Sequence, residues 1–152
     1  MKAKIDTVLG GFLAILMAVI TLDVLWGVFT RYALGSQASW TEELARFLLI
    51  WIGTLGAAYA SGQKMHLAID LLTPSLSEGN ARRVNLLIAW LIVSFVLTVM
   101  VIGGGRLIYV TVHLEQTSAA MGLPMGVVYG IIPISGLLII YYKMVEIFGP
   151  KA

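Results

Sequence analysis

Long apolar runs, separated by short clusters of charge, set the pattern of this chain. Such runs predict membrane spans, because a helix needs roughly 20 apolar residues to cross a bilayer. The first extends from about Thr7 to Thr30, is preceded by Lys2 and Lys4, and is interrupted by Asp23. A cleaved signal peptide would have a shorter apolar core and a small-x-small cleavage site. Here Val24 to Phe29 continue the run past Asp23, so the segment reads as a retained first helix. The second run is free of charge only from Phe47 to Gly62, and its helix is expected to begin earlier, because Ser39-Trp40-Thr41-Glu42 fits the S-x-x-E capping box. Counting from Ser39 gives a helix ~36 Å long. The third span, Val84 to Gly105, is the clearest, and Gly103-Gly104-Gly105 is expected to weaken the helix just before Arg106. The fourth runs from about Val127 to Val145, with Pro133 bending it near its start. The expected fold is an all-α integral membrane protein, a single four-helix domain over 1–152 with spans at about 7–30, 39–62, 84–105 and 127–145.

Composition narrows the functions open to such a fold. Of 152 residues, 59% are apolar and 12% charged, with a mean hydropathy of +0.93. Four crossings use about 80 positions, which leaves no room for a large soluble catalytic or nucleic-acid-binding domain. There are no cysteines and two histidines, which excludes disulfides, iron-sulfur clusters and Cys/His metal cages. No G-x-S-x-G, phosphate-binding Gly-rich loop or H-E-x-x-H is present, so an enzyme is not expected.

Charge sets the expected orientation, since Lys and Arg accumulate in cytoplasmic connections. With both termini inside, seven basic residues lie inside (Lys2, Lys4, Lys64, Arg82, Arg83, Lys143, Lys151) and three outside (Arg31, Arg46, Arg106), which favours N-in and C-in. Trp26, Phe29, Tyr32 and Trp40 then form an outer aromatic belt, and Tyr141, Tyr142 and Phe148 an inner one. Between spans two and three, Leu67, Ile69, Leu71 and Leu72, set among His66 and Asp70, predict a short interfacial amphipathic piece in contact with membrane lipids. The outer connection from about Tyr109 to Gly126 contains the turn signal Gly122-Leu123-Pro124.

Within this frame a few polar residues stand out. Asp23 lies about two-thirds along its helix, where an ionisable group is costly. It reads either as a proton-coupling site or as a structural group, and Arg46 is the best candidate partner in the chain. Trp40, Glu42, Glu43 and Arg46 form the densest polar group. A cap plus an interfacial anchor accounts for Glu42 and Trp40, but Arg46, spaced i,i+4 and i,i+3 from the two glutamates, points to a charged face toward water or another protein. His66 and Asp70 are too few ligands for a metal, and Lys64 opposes a divalent cation, so a polar interfacial face is the simpler role. Small residues recur at four-residue spacing in Gly10, Ala14 and Ala18, in Gly53 and Ala57, in Gly56 and Ala60, and in Gly122, Gly126 and Gly130. Such faces let helices approach closely, within this chain or against a larger membrane partner.

Arg31-Tyr32, the run Trp40-Thr41-Glu42-Glu43-Leu44-Ala45-Arg46, Trp51, Leu55-Gly56-Ala57-Ala58-Tyr59-Ala60, His66, Asp70-Leu71-Leu72, Gly122-Leu123-Pro124 and Pro133 follow one another in an order and spacing that resembles the small, DctQ-type membrane subunit of tripartite ATP-independent periplasmic (TRAP) transporters. The resemblance implies a non-catalytic scaffold subunit in the bacterial inner membrane that docks on a large multi-span subunit. The large subunit would hold the substrate and sodium sites and move in an elevator-like manner, and a periplasmic binding protein would deliver an organic acid anion of the dicarboxylate or sialic acid class. This chain would then hold no substrate ligand, metal or cofactor. Arg31, Trp40, Glu42, Glu43 and Arg46 would order helix two or meet partners at the outer side, with His66 and Asp70 near the cytoplasmic rim. Asp23 is outside the family pattern. The competing expectation is a small proton-coupled homo-oligomeric exporter using Asp23, and a third is a membrane assembly factor unrelated to transport. Trp40→Ala and Arg46→Ala are expected to weaken assembly or transport more than changes at Lys143 or Lys151.

Overall fold

A computed structural model describes residues 2–63 and 78–148, with side chains in the second stretch from Arg83 onward. The elements are α1 (Lys2–Ala33), α2 (Ser39–Gly62), α3 (Glu78–Phe95), a π-helical segment (Val96–Gly103), α4 (Gly104–His113), α5 (Met125–Tyr129) and α6 (Ile131–Phe148). Four helical stretches, Lys2–Ala33, Ser39–Gly62, Arg83–His113 and Met125–Phe148, are long and apolar enough to cross a membrane, the last with a break at Gly130. The expected interfacial piece with His66 and Asp70 lies outside the described residues.

Packing follows a seven-residue spacing. The buried positions of α1 include Leu9, Leu16, Asp23 and Thr30, and those of α2 include Thr41, Leu48, Leu55 and Gly62. A seven-residue period holds one stripe of each helix against its neighbour with a left-handed twist. In the third span the buried series is Ala89, Val96, Gly104 and Thr111, with one step of eight. The π-helical segment spans that step and absorbs the extra residue, since wider turns take in an inserted position without breaking the helix. The helix therefore continues through Gly103-Gly104-Gly105 to His113 rather than ending at Gly105. Gly104 is buried where a Cβ would meet Ile132 and Pro133 at 3.1 Å, so close packing on α6 overrides weak propensity.

The helices pack principally in the order α1, α2, α6, third span, so α1 and the third span form the edges of a row. Leu9, Leu16, Leu48, Leu55, Ala58, Val96, Ile131, Ile139 and Tyr142 make the core between them. At the end that holds the start of α1, the Tyr142 ring lies on Gly62, and its hydroxyl donates to Asp6 Oδ1 at 2.6 Å, joining α6, α2 and α1. Toward the other end, the Trp51 indole N–H donates to the Val128 carbonyl at 3.0 Å, beside the break at Gly130. Pro133, which has no N–H, also frees a carbonyl in that turn.

Of the small-residue faces, a Cβ on Gly10 would lie 3.4 Å from the Tyr59 ring, but one on Gly53 or Gly56 would meet nothing within 4 Å. Gly122 lies in the loop before α5 with φ of 65°, so Gly122, Gly126 and Gly130 do not form one helix face.

A Cβ on Gly136 would fall 2.9 Å from Met100 Cβ. Gly136→Leu should therefore force α6 from the π-helical segment and lower stability by roughly 1–3 kcal/mol, read as a lower melting temperature in detergent by circular dichroism. Gly53→Leu should not lower it; equal melting of both variants and wild type would remove the steric role assigned to Gly136.

Candidate functional site

Polar groups concentrate at the end formed by the α1–α2 turn and the connection before α5. The turn is built from Thr30, which donates from Oγ1 to the Gly27 carbonyl at 3.0 Å and accepts from the Ala38 N–H at 3.3 Å. Ala38 occupies the cap position of α2 without a side-chain bond, so the predicted Ser39/Glu42 capping box does not form. Ser39 is already inside the helix, one residue too late to cap it. Thr41 instead donates from Oγ1 to the Ala38 carbonyl at 2.7 Å and accepts from Gln37 Nε2 at 3.3 Å.

Glu43 points across to the 114–124 connection. Its Oε1 accepts the Ala119 N–H at 2.8 Å, and its Oε2 accepts those of Ala120 and Met121, each at 3.0 Å. Three consecutive amides converge on one carboxylate because the Ser118–Leu123 turn points them the same way, an anion-holding nest. Ser118 closes that turn: its N–H donates to the Leu123 carbonyl at 2.9 Å, and its Oγ accepts from the Leu123 N–H at 3.2 Å. Glu43 thus fastens the connection to α2 within this chain. Arg46 forms no ion pair with Glu42 or Glu43; among the described residues the ion pair is Lys143–Glu146. Arg46 lies beside a cleft of about 380 Å³ that Glu43, Gln116, Ser118 and Tyr129 also line.

Asp23 lies in a separate cleft of about 310 Å³ between α1 and α2, together with Arg31, Tyr32, Gln37, Thr41 and Glu42. It is 5% exposed, and neither carboxylate oxygen has a hydrogen-bond partner among the described residues. Arg46 is not its partner, because the two line different clefts. Arg31 shares the cleft but stands eight residues on, ~12 Å along the helix, farther than its side chain spans. Tyr32 and Glu42 are exposed where they line this cleft, Trp40 is exposed outside it, and His66 and Asp70 lie outside the described residues.

Two features are not evident from the run of apolar and charged positions. Lys143, which the sequence presents as a bland terminal charge, is 1% exposed with Nζ 2.7 Å from Glu146 Oε2. It follows Gly136 by seven residues on the buried stripe of α6, a spacing that the sequence does display. The Tyr142–Asp6 bond links residues 136 positions apart, and no local signal announces it. Among the described residues no group of three or more His, Asp or Glu is placed to hold a metal ion.

These features define a small, multi-pass, all-α membrane protein whose polar groups fasten turns and line two shallow clefts. The family model of the tripartite ATP-independent periplasmic transporters, DctQ component, matches residues 17–150. The chain belongs to that family and is a small permease subunit, not an enzyme. The sialic acid TRAP transporter small permease protein SiaQ of Vibrio cholerae is 25% identical over 138 residues, covering 88% of this chain and 76% of that protein. The C4-dicarboxylate TRAP transporter small permease protein DctQ of Rhodobacter capsulatus is 28% identical over 115 residues, 76% of this chain and 50% of that protein. The isethionate TRAP transporter permease protein DctMQ of Oleidesulfovibrio alaskensis is 33% identical over 132 residues, 82% of this chain but 20% of that protein.

Glu43→Ala should speed hydrogen exchange at the amides of Ala119, Ala120 and Met121 by about tenfold, equivalent to roughly 1.4 kcal/mol of local opening. Glu42→Ala, which removes no hydrogen bond within the described residues, should leave those amides unchanged; unchanged exchange in Glu43→Ala by mass spectrometry would refute the tether.

Proposed function

We propose that this chain is the scaffold subunit of a sodium-coupled, binding-protein-dependent importer of an organic acid anion, docked on a large multi-span subunit in the inner membrane with both termini in the cytoplasm. The row arrangement carries this reading. Two edge helices leave most of their apolar surface uncovered, and the chain's own polar groups are used to close turns and join helices. A self-sufficient transporter commonly gathers several polar groups around broken helices at mid-depth, whereas Asp23 lies on an unbroken helix and bonds to none of the polar groups that share its cleft.

Three relatives support that substrate class, since the C4-dicarboxylate, sialic acid and isethionate in their names are organic acid anions. Alignment of this chain to one-fifth of a longer permease protein supports direct association with a larger membrane part. The basic-residue count supports the orientation, and it still stands at six to three with the buried Lys143 removed. Sodium coupling would reside in the large subunit.

The test is uptake in proteoliposomes that hold the large subunit, its binding protein and a sodium gradient, with and without this chain. Omitting the chain should reduce uptake of a labelled dicarboxylate, sialate or sulfonate to background, and undiminished uptake would overturn the proposal. A second reading, a proton-coupled exporter, draws support from the unpartnered oxygens of Asp23. It requires the purified chain alone to drive proton flux that Asp23→Asn abolishes.

A further inference from the structure

We infer that a lysine or arginine side chain of the large membrane subunit enters the α1–α2 cleft and pairs with Asp23, an inference that rests on the docking reading above. Asp23 occupies the buried stripe of α1 at a position where its neighbours seven residues away are Leu16 and Thr30. Its two carboxylate oxygens lack donors among the described residues, although the group is almost fully covered by protein. A carboxylate at this depth is costly without a cation or donors, and the described residues give it neither, so a cation brought by a partner would relieve that cost.

The cleft suits a cation. Asp23 and Glu42 against Arg31 give its lining a formal charge of −1. Thr41 Oγ1 is already committed as donor to Ala38 and acceptor from Gln37, and among the described residues no group of three or more His, Asp or Glu is placed to hold a bare metal ion. The remaining walls, Val24, Gly27, Val28 and Ala45, are apolar and suit the methylene stem of a long basic side chain.

The surface beside the cleft suits a helix to carry that side chain. Stepping along α2 by three or four residues from Glu42 and Ala45 leads to Leu49, Gly53 and Gly56. Leu49 is 60% exposed, and a Cβ on Gly53 or Gly56 would meet nothing within 4 Å. A neighbouring helix can therefore lie close along α2, as small residues permit, with its basic residue entering the cleft and displacing the cover over the Asp23 oxygens. The charge-assisted bonds so formed would be made only in the complex.

The experiment co-expresses the large subunit with tagged wild type, Asp23→Asn, Asp23→Lys and Gly53→Leu, and measures how much large subunit is recovered and how each isolated chain melts. Because the chain has no cysteine, Val24→Cys, on an exposed wall of the cleft, adds a single thiol whose reaction with a small cationic methanethiosulfonate reports access to the cleft. Recovery should fall by about tenfold in Asp23→Asn and further in Asp23→Lys. It should also fall in Gly53→Leu, while the isolated Asp23→Asn and Gly53→Leu chains melt no lower than wild type. The thiol should react readily in the isolated chain and at least about tenfold more slowly in the complex. If wild type recovers the large subunit and Asp23→Asn recovers it equally, the inference is wrong although docking stands. If wild type recovers none, docking fails and the inference fails with it. Proton flux through the isolated chain that Asp23→Asn abolishes would also overturn the pairing.

Discussion

Apolar attraction that holds a soluble core together is absent between helices in lipid, so contacts in a bilayer depend on close fit and on hydrogen bonds. The buried stripe at seven-residue spacing meets that constraint here. Leu9 and Leu16 of α1 face an α2 stripe of Leu48 and Leu55, and Tyr142 can lie on α2 because Gly62 offers no side chain. The third span keeps the spacing only by taking an extra residue into its π-helical segment, opposite Gly136 of α6. Hydrogen bonds then fix the two ends of the row: Tyr142 to Asp6 at one, Trp51 to Val128 toward the other.

A thin row has a consequence for its connections. The stretch before α5 lies at the membrane edge and has little core of its own to hold it. Glu43 compensates from α2 by taking three of its amides, and Gly122 at φ of 65° lets the Ser118–Leu123 turn close. The charged face of Glu42, Glu43 and Arg46 is thus not a single functional unit. Glu43 turns inward to the connection, whereas Glu42 and Arg46 line separate clefts and are free to meet another surface.

The spans were legible because transfer of charge into hydrocarbon costs so much that a run without charge is a physical statement by itself. Helix ends were less so. Ser39 and Glu42 had the spacing of a capping box, but the chain enters the helix one residue earlier, where Thr30 has already taken the Ala38 amide. The three glycines from Gly103 read as a terminus on propensity alone, yet packing of Gly104 against Ile132 and Pro133 carries the helix through them. Arg46 matched Asp23 in depth, but two helices at one depth can still turn their side chains to different sides. Such rotation depends on the seven-residue stripe, which Leu9, Leu16, Asp23 and Thr30 display in plain spacing and which small residues at four-residue spacing do not reveal.

Two buried ionisable side chains among the described residues are handled in opposite ways. Lys143 sits on the buried stripe of α6 with a carboxylate three residues away on the same helix, so its cation is balanced whenever α6 is formed. Asp23 sits on the buried stripe of α1 with Val24, Leu25, Val28 and Phe29 around the following turns, none of which can donate to it. Local balance was chemically available to Asp23 by the same device, a basic residue three or four positions along, and the sequence holds Trp26 and Gly27 there instead. Gly27 also brings Gln37 and Thr41 close, with a would-be Cβ 3.1 Å from Gln37 Nε2, so the site keeps α1 and α2 near each other without filling the space beside the carboxylate. A carboxyl group left without a partner beside a cleft, on a row that leaves its outer faces uncovered, is the arrangement expected if the proposed second protein completes the site.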